Sequence, residues 1–136
     1  MTKQTIDPAD AMFKTADGRS MFQAFGYSAA VRAGDFIYVS GQIGLNPDGT
    51  MPHDAEPQIV NAFERLKAVL AAAGAELSDI VELVSYHVGL QAQRAAFFEI
   101  KGRYIKEPYP AWTMLEVAGL ARPGLLIEIK AIAHKK

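Results

Sequence analysis

The sequence contains no cysteine. Disulfides, thiol nucleophiles and thiolate metal sites are therefore excluded. It also has almost no net charge: 14 Lys and Arg oppose 15 Asp and Glu, leaving −1 at pH 7. Phosphate backbones demand a basic surplus, so nucleic acid is not an expected partner. Histidine is scarce as well. His53, His87 and His134 lie far apart and form no closely spaced ligand pair, so no metal site is expected. Gly41, Gly44 and Gly49 are not followed directly by a helical pattern, so they do not read as a phosphate loop. No apolar run approaches the roughly 18–20 residues that cross a bilayer. The first ten residues carry no apolar signal core, so the expected location is the cytoplasm, away from membranes. What remains is an ordinary globular composition: 50% of the 136 residues are hydrophobic and 21% charged. Residues 1–136 read as one domain.

Residues 1–22 are polar and aperiodic, punctuated by Asp7-Pro8 and Asp17-Gly18, and read as an N-terminal arm or loop. Small and β-branched residues fill 27–32, and Ala33-Gly34-Asp35 reads as a turn. Residues 36–43 form a strand candidate with Ile37, Val39, Gly41 and Ile43 on one side. Phe36, Tyr38, Ser40 and Gln42 then face the other way. A helix is predicted over 57–73, because Ile59, Phe63, Leu66 and Leu70 recur at helical spacing and Gly74 can close it. On this reading Asn61, Glu64, Arg65 and Lys67 lie on the polar side. Further strands are predicted over 80–88, 111–117 and 125–133, and a second helix over 93–105. The order β-β-α-β-α-β-β predicts an α+β sandwich: a mixed sheet with both helices on one face.

The last strand makes that layering consequential. Leu125, Ile127, Ile129, Ala131 and Ala133 suit the face beneath the helices. Leu126 and Ile132 then lie on an uncovered face, with Phe36, Tyr38, Trp112 and Met114 expected at comparable positions. So much exposed apolar area points to association between copies of the chain.

Four segments carry a family resemblance in the right order and spacing. They are Phe36-Ile37-Tyr38-Val39-Ser40-Gly41-Gln42-Ile43, residues 66–74, Tyr109-Pro110-Ala111 and residues 127–133. From about Tyr27 onward the chain resembles the YjgF/RidA family. The resemblance implies a chorismate-mutase-like fold, a homotrimer built round a central barrel, and a small-molecule cleft between adjacent subunits. It implies hydrolysis of reactive 2-imino or 2-aminoacrylate acids to 2-keto acids and ammonia, with no cofactor. Its site residues would be Tyr27, Ser40 and a last-strand glutamate, Glu128, that holds or activates water. The family also grips the substrate carboxylate with an arginine in a Pro-Ala-Arg-Ser/Thr motif. Here that motif is Pro110-Ala111-Trp112-Thr113, so Trp112 stands in the arginine's place.

Arginine offers a fixed charge and a planar fork, whereas tryptophan offers a flat ring and one N–H. Loss of a charged hydrogen bond of about 1.5–3 kcal/mol weakens carboxylate binding by roughly one to two powers of ten. The expected substrate is therefore atypical: an imine, enamine or related metabolite seated against Trp112 and Thr113, where a tryptophan wall suits a neutral, aromatic or cationic ligand. Arg122, in the loop before the last strand, is the foremost candidate replacement, with Arg32 and Arg103 as further candidates; each of the three also reads as a solvated surface arginine. Glu128 lies between Ile127 and Ile129, where burial would raise its pKa and fit it for acid–base work. The same surroundings also suit a structural carboxylate paired with a lysine or a backbone N–H. Ser40 has no histidine at a nucleophile spacing and reads as a cleft-lining hydroxyl. Two alternatives stand beside the hydrolase: a non-catalytic ligand-binding or scaffold trimer, and the endoribonuclease activity attached to some relatives.

Overall fold

The computed structural model describes residues 2–136. Six strands form one sheet: β1 (Gln4–Ile6), β2 (Ala30–Ala33), β3 (Phe36–Ile43), β4 (Ile80–His87), β5 (Ala111–Glu116) and β6 (Ile127–His134). Their spatial order is β1-β2-β3-β6-β4-β5, antiparallel except for the parallel pair β4 and β5. The long helices are α2 (Ala55–Ala72) and α3 (Leu90–Tyr104), and a short helix α1 (Met21–Phe25) precedes β2. Among the described residues, no helix is long and apolar enough to cross a membrane.

Both long helices lie on the same face for a reason of handedness. β3 and β4 each run antiparallel to β6, so β3, β4 and β5 all point the same way. The chain steps from β3 through α2 to β4, then through α3 to β5, always toward the same edge. Right-handed crossovers taken in one direction put their helices on one side. Beneath them the sheet contributes Ile37, Val39, Leu83, Ile127, Ile129, Ala131 and Ala133, all buried. Helix α2 answers with Ile59, Ala62, Phe63, Leu66, Val69 and Leu70, and α3 with Phe97 and Ile100. This is the α+β layering that the sequence predicts.

The opposite face has no helix over it. Phe36 and Tyr38 are 42% and 49% exposed, and Leu115 is 43% exposed. Ile132 sits beside Tyr38 across the strand pair. Trp112 and Met114 do not join them. They pair in register with Leu83 and Ser85, which are buried beneath the helices, so they share the covered side. Two further expectations need correction. The N-terminal arm is not all loop: β1 closes one sheet edge, and α1 supplies part of the core through Phe22. Gln42 does not share a face with Tyr38 and Ser40; it is buried on the covered side.

Candidate functional site

The displacement of Gln42 has a local cause that also builds the site. β3 and β6 pair regularly up to Val39 opposite Ala131, and again from Gln42 opposite Ile129. Ser40 and Gly41 therefore share the space opposite Lys130 as a β-bulge. The extra residue turns Gln42 inward and brings Ile43 opposite Glu128. The Glu128 side chain then lies across the Gly41 backbone. A Cβ at Gly41 would stand 2.7 Å from Glu128 Cδ and 3.0 Å from Cγ. Only glycine leaves room for the carboxylate in this position.

The remaining groups arrive from the arm and from α2. Ser20 caps α1 by accepting from the Gln23 N–H, and Gly26 ends the helix with φ of 74°. The chain turns there, so Tyr27 packs edge-on against Phe22 with ring centres 5.3 Å apart. Ser40 Oγ donates to the Ser28 carbonyl at 2.6 Å, which ties the bulge to the segment after Tyr27. Its lone pairs stay free to accept from a ligand. Together these elements enclose a cavity of ≈ 340 Å³ lined by Tyr27, Ser40, Gly41, Glu128 and Arg65, with Phe13, Phe22 and Ile43 as apolar wall.

The electrostatics of the cavity are uneven. Burial pushes the Glu128 carboxyl above its ordinary pKa. Among the described residues no lysine or arginine forms an ion pair with it. Burial also raises the Tyr27 phenol, opposed by the positive charge of Arg65 and aided by the negative charge of Glu128. Arg65 is lowered by burial, and the charge of Arg122 adds to that effect. Burial in a half-apolar pocket, with no direct ion pair, makes the Glu128 carboxyl hold its proton more tightly than a solvated one. That property suits a group that must both take and return a proton.

The structure thus brings together Tyr27, Ser40 and Glu128. Trp112, Thr113 and Arg122 do not line this cavity. Thr113 is exposed on β5, at the sheet edge. Arg122 belongs to the loop before β6, whose Ala121 touches the cavity. Arg32 is bound elsewhere, donating to the Ala73 and Lys135 carbonyls, and Arg103 pairs with Glu99 on the surface of α3.

Trp112 has a different environment from the one expected. Its ring stacks on Phe97 at 5.9 Å, meets Phe98 edge-on at 5.6 Å and carries the Lys101 Nζ 4.2 Å above it. Its N–H donates to Ser85 Oγ at 3.0 Å. The bonds beyond follow in one direction. Gln93 Nε2 donates to the Val88 and Leu126 carbonyls, so its Oε1 must accept from His87 Nδ1–H. His87 Nε2 then accepts from the Ser85 hydroxyl. Trp112 is the first donor in a buried chain that joins β5, β4, α3 and the loop before β6.

Arg65 is the site residue that the helical pattern misassigns to the polar side. It is 4% exposed. The signal was its spacing: Gln58, Ala62 and Val69 lie at i−7, i−3 and i+4 and are all buried. A charge on that stripe has to face inward.

Comparison with known proteins identifies the family and the fold. The Endoribonuclease L-PSP family profile matches residues 19–135. The RutC family protein YjgH of Escherichia coli is 40% identical over 120 residues, covering 88% of this chain and 90% of the relative. The 3-aminoacrylate deaminase RutC of Acinetobacter baylyi is 33% identical, covering 79% and 86% respectively. The solved structure of protein YjgH superposes with a TM-score of 0.85 at 35% identity, covering 99% of this chain and 98% of that one. By sequence and by fold, the chain belongs to the Endoribonuclease L-PSP family, the YjgF/RidA/RutC group of proteins.

Proposed function

We propose that the protein is a homotrimeric, cofactor-free hydrolase that deaminates a small imine or enamine in the cleft around Glu128. The observation that carries this reading is the Glu128 carboxylate lying across Gly41, without a cation partner, beside Tyr27 and Ser40. Imine hydrolysis requires water to add to the C=N carbon while a proton reaches nitrogen. The resulting carbinolamine then releases ammonia and leaves a carbonyl. One carboxyl group can accept the proton from water and deliver it to nitrogen, and a raised pKa serves both halves. The Tyr27 and Ser40 hydroxyls would orient the substrate and the water. The name of the Acinetobacter relative, a deaminase of an enamine acid, supports the reaction class.

The apolar sheet face with Phe36, Tyr38 and Leu115 supports self-association. A cytoplasmic location suits such a reaction. The non-catalytic binding reading draws on Trp112, whose N–H is committed to Ser85 and offers no substrate contact.

Light scattering at several concentrations measures the assembly; a trimeric mass is expected. Activity is measured as ammonia release from freshly generated 2-iminobutanoate, 2-iminopropanoate and 3-aminoacrylate. Turnover by wild type that Glu128→Gln abolishes while retaining ligand binding supports the hydrolase. Absence of turnover on all three favours the binding trimer.

A further inference from the structure

Arg65 is a buried cation without an acidic partner among the described residues. Its guanidinium is held by carbonyls: Nε donates to Leu45 at 3.2 Å, and Nη2 donates to Met12 at 3.0 Å and Asn46 at 3.4 Å. The Phe13 ring lies 5.3 Å from Cζ. These contacts fix the group in place but leave its charge uncompensated. Buried charges ordinarily have a counter-charge, because carbonyl dipoles offset only part of the desolvation cost. Nη1 has no hydrogen-bond partner among the described residues, and no side-chain N or O that is fully buried lacks one. Nη1 therefore opens onto free space, and the space that Arg65 lines is the cleft. Arg122 adds positive field from the loop side.

We propose that Arg65 is the anion anchor of the cleft, so that the ligand is a small carboxylate whose charged end points toward α2. One carboxylate oxygen meets Nη1, and the reacting end of the ligand extends toward Gly41 and Glu128. The charge that β5 lacks at position 112 is supplied from a different element of the fold. This inference deepens the proposed function, on which it rests for the identity of the cleft.

The test compares 2-oxobutanoate with neutral 2-oxobutanamide as probes, by titration calorimetry at low salt. Wild type should bind the acid at least about ten-fold more tightly. Arg65→Met should erase that preference, and Arg103→Ala, which alters only the surface pair with Glu99, should keep it. Equal binding of the two probes by wild type overturns the anchor. So does a preference that survives in folded Arg65→Met or disappears in Arg103→Ala. Where Arg65→Met does not fold, arginine side-chain NMR of wild type decides: 2-oxobutanoate should shift the Arg65 Nε–H signal, and an unmoved signal overturns the assignment. The two readings fail separately. A preference for the acid without any imine turnover sinks the hydrolase and leaves the anchor. Turnover without the preference does the reverse.

Discussion

Gly41→Ala isolates the relation between the bulge and the carboxylate. The new methyl would lie 2.7 Å from Glu128 Cδ and 3.0 Å from Cγ, where ordinary carbon contacts are about 3.5–4.0 Å. The overlap approaches an ångström, so the Glu128 side chain must leave its rotamer. Gly41 has no positive φ, so the backbone itself accepts alanine. The cost should therefore be that of forcing a flexible side chain off its rotamer beside an open cavity, about 0.5–1.5 kcal/mol. A double-mutant cycle with Glu128→Ala measures it by urea denaturation. Gly41→Ala alone should lower stability by that amount and displace the carboxylate from the cleft. In the Glu128→Ala background it should be close to neutral, which makes the coupling energy nearly equal to the single-mutant loss. Equal costs in both backgrounds would refute the close approach and place the role of glycine in the bulge backbone alone.

Three further outcomes are expected. Because burial raises the Glu128 pKa, the folded state holds that proton more tightly, and this stability is lost as pH rises from the ordinary value, about 4.5, through the folded one. Glu128→Gln should accordingly be more stable than wild type at pH 7 and equal to it below about pH 4, as checked by melting temperature across pH. His87 is depressed by burial, so its contribution is complete above about 6.5 and falls as pH drops through the lower folded value; ¹⁵N NMR at neutral pH should show the proton on Nδ1. Trp112→Arg should destabilise the fold by about 3 kcal/mol in denaturant melts, because it removes the stack on Phe97 and sets a second cation beside Lys101.

The layering was legible because it depends on local periodicity. The spacing of Ile59, Phe63, Leu66 and Leu70 located α2, and alternation separated Ile127 and Ile129 from Glu128. The site residues Tyr27, Ser40 and Glu128 were named from motif resemblance and do meet in one cavity. What escaped depends on pairing between distant segments. Strict alternation cannot reveal a bulge, so Gln42 was put on the wrong face. Residues 111–116 hold apolar side chains at both parities, so only their partners, Leu83 and Ser85 on β4 with Phe97 on α3, decide which way Trp112 points. Helix α1 is five residues long, too short for a period to emerge. Its signals were the Ser20 cap and the glycine at 26. Arg65 was hidden by its charge, because a polar residue is assigned outward until its neighbours on the helix are known to be buried.

Two buried glutamines fasten the stretch that leads into β6. Gln58 donates to the Pro52 and Gly124 carbonyls and accepts from the Leu126 N–H. Gln93 donates to the Leu126 carbonyl. Every one of these attachments is to main-chain atoms, so the side chains from Ala118 to Arg122 carry none of this fastening. The lip of the cleft can therefore exchange residues, and with them its preference for one molecule over another, while the strand that presents Glu128 keeps its place. The anchor for the ligand's charge sits in the scaffold, and the lip is left free to vary around it.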